Sequence, residues 1–278
     1  MRRIPPINAL LFFLTLLTTL AAGAVIGGVN IFENPWGIVK GAPFSLTLMF
    51  ILLSHEFSHY LASRKHHTEA TLPYFIPAPT LIGTFGAFIK MKSPIRSRKA
   101  LVDIGASGPM VGFFFSVIAS VAGLLLSRVV TVEAGAKGAL TVGDSLLFAA
   151  LTKLTVGTVP EGHEIFLHPV AFAGWLGLFV TSLNLIPVGQ LDGGHISFAF
   201  LGPLHRRVGM ALVAVLVGLS FFWVGWAVWA GLMLVIGLGH PPVIYWEEPL
   251  DPRRKLAGWA ALVIFVITFI PAPFSVSL

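Results

Sequence analysis

His55, Glu56 and His59 stand together in the run His55-Glu56-Phe57-Ser58-His59, inside an otherwise apolar stretch. Histidines four apart lie one above the other on a single face of a helix. Both imidazoles can then reach one Zn²⁺, and the glutamate beside them is placed to act as a general base. The pattern alone is of moderate specificity, but its setting sharpens it. Ionisable side chains are costly inside a membrane helix and mark function there by default. Three of them in zinc-binding order are hard to explain as packing.

A catalytic zinc takes three protein ligands and keeps one position open. The chain has no cysteine, so any metal must be held by His, Asp or Glu. Asp192 is the best third candidate, within Asn184-Leu185-Ile186-Pro187-Val188-Gly189-Gln190-Leu191-Asp192-Gly193-Gly194-His195. Gly193 and Gly194 let the backbone turn tightly beside its carboxylate. Taken singly, Asp192 reads equally well as an ordinary aspartate at a helix start.

The elements that must position these residues are membrane-embedded. Hydrophobic residues make up 56% of the chain and charged ones 11%, against about 25% charge in a soluble domain. With a mean hydropathy of +0.88, the solvent is a bilayer. Segments near the roughly 20 apolar residues that a spanning helix needs fall at 7–29, 42–63, 103–127, 168–187, 207–222, 224–239 and 256–273. One helix over 208–239 would be about 48 Å long. The hydrocarbon core is about 30 Å thick, so two helices turning near Trp223–Gly225 are expected instead. The expected fold is an all-α polytopic membrane protein. It has about seven transmembrane helices and a re-entrant, β-like loop between the second and third. Residues 1–278 are read as a single domain, with a core at 42–200 and peripheral helices at 7–29 and 207–273.

The net charge of +6 does not point to nucleic acid, because the basic residues sit between apolar segments, where they set topology. With the N-terminus cytoplasmic, the inner side holds fourteen of them, including Arg2, Arg3, Arg64, Lys65, Arg98, Lys99 and the Arg253–Lys255 cluster. The outer side keeps Lys40, Arg128, Lys137 and Lys153. This predicts the N-terminus inside and the C-terminus outside. The first apolar run exceeds the roughly 7–15 residues of a signal peptide, so it is read as a retained span.

The stretch 64–102 holds Pro73, Pro77 and Pro79, which forbid a continuous helix. It continues into Gly83-Thr84-Phe85-Gly86-Ala87-Phe88-Ile89, an apolar run too short to span. A re-entrant or interfacial strand fits, tolerated at membrane depth only where protein covers its backbone. Such a strand either pairs with an extended substrate or merely packs. The outer stretch 128–167 is too short for an added module such as a PDZ domain. In the third span, Gly108 with Gly112 and Ala119 with Gly123 are small-residue pairs that permit close helix approach. Trp223, Trp226, Trp229, Trp246 and Trp259 are expected as interfacial aromatics near span ends.

HEFSH in the second span together with NLIPVGQLDGGH after the fourth resembles the site-2 protease family of intramembrane metalloproteases. The run Asp103-Ile104-Gly105-Ala106-Ser107-Gly108-Pro109 is similar to that family's glycine-proline segment, which opens the third span. Residues 72–79, 83–89, His240-Pro241-Pro242 and Leu250-Asp251-Pro252-Arg253-Arg254 resemble a compact bacterial and plastid-type branch without a PDZ domain. The resemblance covers about residues 42–273. It implies His55, His59 and Asp192 as ligands of one Zn²⁺ per chain, Glu56 as the base that activates water, and Asn184 as a hydrogen-bonding partner of the substrate backbone or the tetrahedral intermediate, where the residue alone also suits an interhelical bond. It also implies a membrane-protein substrate, expected to have a single span, cut within or near its transmembrane segment.

His59 stands six residues before Lys65, roughly 9 Å from the inner end of the second span. The active site is therefore expected near the cytoplasmic face of a bacterial cell membrane. His195 is close enough to Asp192 to support it. His168, on the opposite side, and His195, His205 and His240, which begin or end helices, are not read as ligands, and His66 and His67 are given no role. The alternative is a metal or proton transporter using the same cluster. It calls for ionisable groups continuing across the membrane, and 44–53 and 171–181 contain none.

Overall fold

The computed structural model describes residues 5–131 and 140–276. Arg2, Arg3 and Lys137, used above to assign topology, lie outside the described residues.

The first helix, α1 (Pro6–Ile26), is followed by a 3₁₀ turn at Pro35–Gly41 and then by α2 (Ala42–Lys65). Arg64 and Lys65 occupy the last turn of α2, where cations offset the negative end of the helix dipole. The proline-rich stretch becomes a hairpin of β1 (Tyr74–Pro77) and β2 (Thr84–Phe88), antiparallel with a bulge between Phe75 and Pro77. The hairpin lies along α1. Asn8 donates to the carbonyls of Leu72 and Pro73 at 3.1 and 2.8 Å, and Thr18 donates to the Gly83 carbonyl at 2.6 Å. Ten residues of α1 separate those two contacts, about 15 Å of helix.

The centre of the fold is α3 (Arg98–Leu125), which packs against α2 and against helices later in the chain. The Ser97 side chain caps it by accepting from the Ala100 amide at 3.2 Å. That cap starts the helix five residues before Asp103, the expected first residue, and draws Arg98 and Lys99 into its first turn. The Gly108-Pro109 pair accordingly sits inside α3 rather than at its opening.

The next segment forms a cap that the sequence did not suggest. It comprises β3 (Arg128–Thr131), β4 (Leu140–Val142), the short helix α4 (Leu146–Thr155) and β5 (His163–Phe166), with β3 paired to β5. After it come α5 (Pro169–Asn184), α6 (Asp192–Leu201), α7 (His205–Leu219), α8 (Gly225–Ile236), α9 (Pro252–Thr268) and β6 (Phe274–Val276), which pairs with β4.

Among the described residues, four helical stretches are long and apolar enough to cross a membrane: 6–26, 35–65, 98–125 and 192–219. In the last, Gly202 breaks the path between α6 and α7 with a φ of +55°. The expected break in 207–239 is present, as α7 and α8 are separate helices. At 16, 15 and 12 residues, α5, α7 and α8 are shorter than the roughly 20 residues of a full crossing. One expectation is corrected. Trp226 is fully buried and donates to the Pro271 carbonyl at 2.7 Å, so it is a core residue whose indole N–H is satisfied inside the protein.

Candidate active site

The site is assembled from three helices. On α2, the four-residue spacing stacks His55 and His59 on one face, both buried, with Glu56 buried beside them. Asp192 opens α6, directly after the turn that ends α5. That turn is tight because its neighbours lack side chains. A Cβ on Gly193 would overlap the Leu185 carbonyl, and one on Gly194 would overlap those of Val188 and Gly189. The two glycines therefore let the first turn of α6 fold back onto residues 185–189 and carry the Asp192 carboxylate to α2.

The side chains converge. His55 Nε2 and His59 Nε2 lie 3.0 Å apart, and each is 3.2 Å from Asp192 Oδ2. On its other side, His59 Nδ1 lies 2.7 Å from the Ile104 carbonyl oxygen. A carbonyl only accepts, so Nδ1 carries the proton and Nε2 presents a lone pair to the cluster. Lone pairs facing a carboxylate oxygen at this range repel unless a cation lies among them. Donor atoms about 2.0–2.2 Å from one tetrahedral Zn²⁺ stand about 3.3–3.5 Å apart. The donor set thus fits a zinc ion in chemistry, its separations of 3.0–3.2 Å fall slightly inside that spacing, and it is the one such group among the described residues.

α3 supplies the bed for the rings. A Cβ on Gly108 would overlap the His59 imidazole, and one on Gly112 would come within 2.9 Å of His55 Nδ1. The small-residue pair therefore does more than bring helices together, since it also makes room for two rings.

The remaining expected residues divide. Asn184 Nδ2 is 3.4 Å from His55 Nε2, at the rim of the cluster. The backbone of Ile89, just past β2, faces the Glu56 carboxylate, so the hairpin reaches the site. Within the hairpin, Gly83 (φ +81°) is pressed against α1, its carbonyl taken by Thr18. Thr84 is buried and tied internally, its hydroxyl donating to the Ile76 carbonyl at 2.8 Å and accepting from the Gly86 amide at 2.9 Å. Phe85, by contrast, is 71% exposed, and a Cβ on Gly86 would meet nothing within 4 Å.

Two features escaped the sequence. His195 Nδ1 meets His240 Nε2 at 2.6 Å, and the His240 ring stacks on Phe198. This pins the loop before α9 onto α6 one turn past Asp192. Burial lowers the His240 pKa, which leaves that imidazole neutral at pH 7. The second is the Ile104 carbonyl, a backbone group that residue types cannot announce. Beside Gly193 an apolar cavity of about 420 Å³ opens between α6, α7 and α9, bordered by Pro187, Phe200, Trp259 and Leu262.

Fold and donor cluster together define a class: a multi-pass helical membrane protein with a buried site fit for a metal ion. The chain belongs to peptidase family M50, the site-2 protease family, whose profile matches residues 43–224. It is similar to the probable zinc metalloprotease EGY2, chloroplastic, of Arabidopsis thaliana, at 29% identity over 89% of this chain and 45% of the relative. It is also similar to the probable zinc metalloprotease EGY1, chloroplastic, of the same plant, at 33% identity over 82% of this chain and 42% of the relative. The chain thus spans less than half the length of these curated relatives. No solved structure matches it.

Proposed function

We propose that the protein is an intramembrane zinc metalloprotease that hydrolyses a peptide bond within or near the transmembrane segment of a membrane-protein substrate, one with a single span. The observation that carries this reading is the convergence of His55, His59 and Asp192 beside Glu56, buried among helices apolar enough to cross a membrane. In this reading the three residues hold one Zn²⁺ per chain. Zinc, when bound, lowers the pKa of a water towards about 7 and polarises a carbonyl.

The protein's own groups do the rest. Glu56 takes the proton of the attacking water and returns it to the leaving amine. The Ile104 carbonyl keeps the His59 ring in the tautomer that offers Nε2. The Asn184 amide donates to the substrate carbonyl as negative charge develops there. Substrate must be unwound first, because a helical peptide bond is shielded by its own hydrogen bonds. The unpaired edge of β2 takes the unwound segment as an added strand. Phe85 and Gly86 present the accessible surface, while Gly83 and Thr84 fix the hairpin's shape. The apolar cavity beside Gly193 gives a hydrophobic segment room next to Asp192.

In the membrane we read seven crossings in one domain. The hairpin is re-entrant, the N-terminus faces the cytoplasm of a bacterial cell, and the zinc site lies towards that face. The basic ends of α2, α3, α7 and α9 support this orientation. The transport alternative is disfavoured because the outer halves of α2 and α5 carry no ionisable side chain.

The test is cleavage of a single-span reporter co-reconstituted in vesicles, with the cut mapped by mass spectrometry. The reading expects a cut within or beside the span and none with Glu56→Gln. Full cleavage by Glu56→Gln, or cuts confined to soluble segments, overturns it.

A further inference from the structure

The geometry points to Arg254 as a positioning residue for the metal site: through Asp103 it fixes the carbonyl that orients His59. Arg254 stands in the first turn of α9, outside the residues matched by the family profile. Its guanidinium is bidentate on Asp103, with Nε 2.9 Å from Oδ1 and Nη2 2.5 Å from Oδ2. Asp103 also receives His66 Nε2 at 2.8 Å on Oδ2. The fork is itself held from behind. Asp251 caps α9 by accepting from the Arg254 amide at 3.1 Å, and its carboxylate also engages Nη1.

The consequence lies one residue along α3. Asp103 precedes Ile104, whose carbonyl oxygen receives His59 Nδ1 at 2.7 Å. α2 is therefore tied to adjacent residues of α3 by two histidines seven positions apart, His59 to Ile104 and His66 to Asp103. Two points of attachment fix both the axial register and the rotation of α3 against α2. Single pairs of this exposure contribute little. A planar fork held from both sides, with a histidine on the same carboxylate, sets direction as well as charge. Arg254 touches neither substrate nor metal, and acts on the Ile104 carbonyl through Asp103.

This inference rests on the zinc reading above, so its test carries a readout that does not. Zinc affinity of the full-length protein is measured by chelator competition for wild type, Arg254→Ala, Asp103→Ala, their double variant, Arg254→Lys and Lys99→Ala. Metal-free protein is followed in parallel by ¹⁵N NMR of the His59 ring proton. Each alanine variant at Arg254 or Asp103 is expected to weaken zinc about 10-fold, the lower end for groups that orient ligands. The double variant should be no weaker than either single one, because the two act as a unit. Arg254→Lys should recover part of the loss. Lys99→Ala breaks the neighbouring Lys99–Glu248 pair (3.2 Å) and should leave affinity unchanged. The His59 Nδ1 proton should exchange slowly in wild type and fast in Arg254→Ala. Should an alanine variant fail to fold, Asp103→Asn carries the same measurements with the volume kept. Wild-type affinity in Arg254→Ala, or an equal loss in Lys99→Ala, overturns the role. A wild type without zinc would sink the protease reading alone, and the ring proton would still decide the role of Arg254.

Discussion

Gly108 of α3 lies against the His59 ring so closely that a single added methyl group overlaps the imidazole. His59 can swing away only by giving up the bond of its Nδ1 to the Ile104 carbonyl on the same helix. Gly108→Ala therefore either pushes α3 off α2 or turns the ring from the cluster. Overpacking of this kind costs about 1–3 kcal/mol of stability. Zinc affinity is expected to fall by about 10- to 100-fold, the range for lost ligand orientation. Gly112→Ala, whose Cβ would stand 2.9 Å from His55 Nδ1, should lose less. Thermal melting with zinc titration of both variants checks the order, and wild-type zinc binding by Gly108→Ala would contradict the packing argument.

The proposed role of Asn184 lies in chemistry and not in metal binding. Its amide nitrogen reaches the edge of the cluster, 3.4 Å from His55 Nε2, without belonging to the donor set. Asn184→Ala should keep its zinc and lose about 100-fold in kcat, the scale of one donor removed from a developing negative charge. Steady-state cleavage of a reporter, with zinc measured on the same sample, separates the two effects. Loss of metal in this variant would make Asn184 a support for His55 instead.

Asn8 and Thr18 tie the hairpin to α1 by side-chain hydrogen bonds that can be removed one at a time. Thr18→Val deletes the hydroxyl that donates to Gly83, and Asn8→Leu deletes the amide that holds Leu72 and Pro73. Each should cost about 1 kcal/mol of local stability. The expected signature is a raised KM with zinc content unchanged, because the strand proposed to receive substrate loses its backing. An unchanged KM in the double variant would take the hairpin out of substrate binding.

How much of this was legible beforehand follows from the range of the interactions. The helix-spaced pair His55 and His59 and the Gly-Gly turn beside Asp192 are local signals, and both produced the structures their spacing called for. The break between α7 and α8 followed from length alone. Asp103 and Arg254 are 151 positions apart, and nothing local in either says they will meet. The His195–His240 contact spans 45 positions and is hidden for the same reason. The β3–β5 and β4–β6 pairs and α4 are short elements, without a long periodic pattern to betray them. The fit of α3 to the site had a partial trace: Gly105, Gly108 and Gly112 recur at helical spacing. That spacing gave close approach but not the identity of the rings filling the space.

In the proposed mechanism His55, His59 and Asp192 hold the metal while Glu56 does not. Elemental analysis of zinc in purified wild type, Asp192→Ala and Glu56→Gln tests it most directly. One zinc per chain is expected in wild type, the same in Glu56→Gln despite lost cleavage, and loss of zinc in Asp192→Ala, where two imidazoles remain without their carboxylate. Undiminished zinc in Asp192→Ala, or loss of zinc in Glu56→Gln, would contradict it.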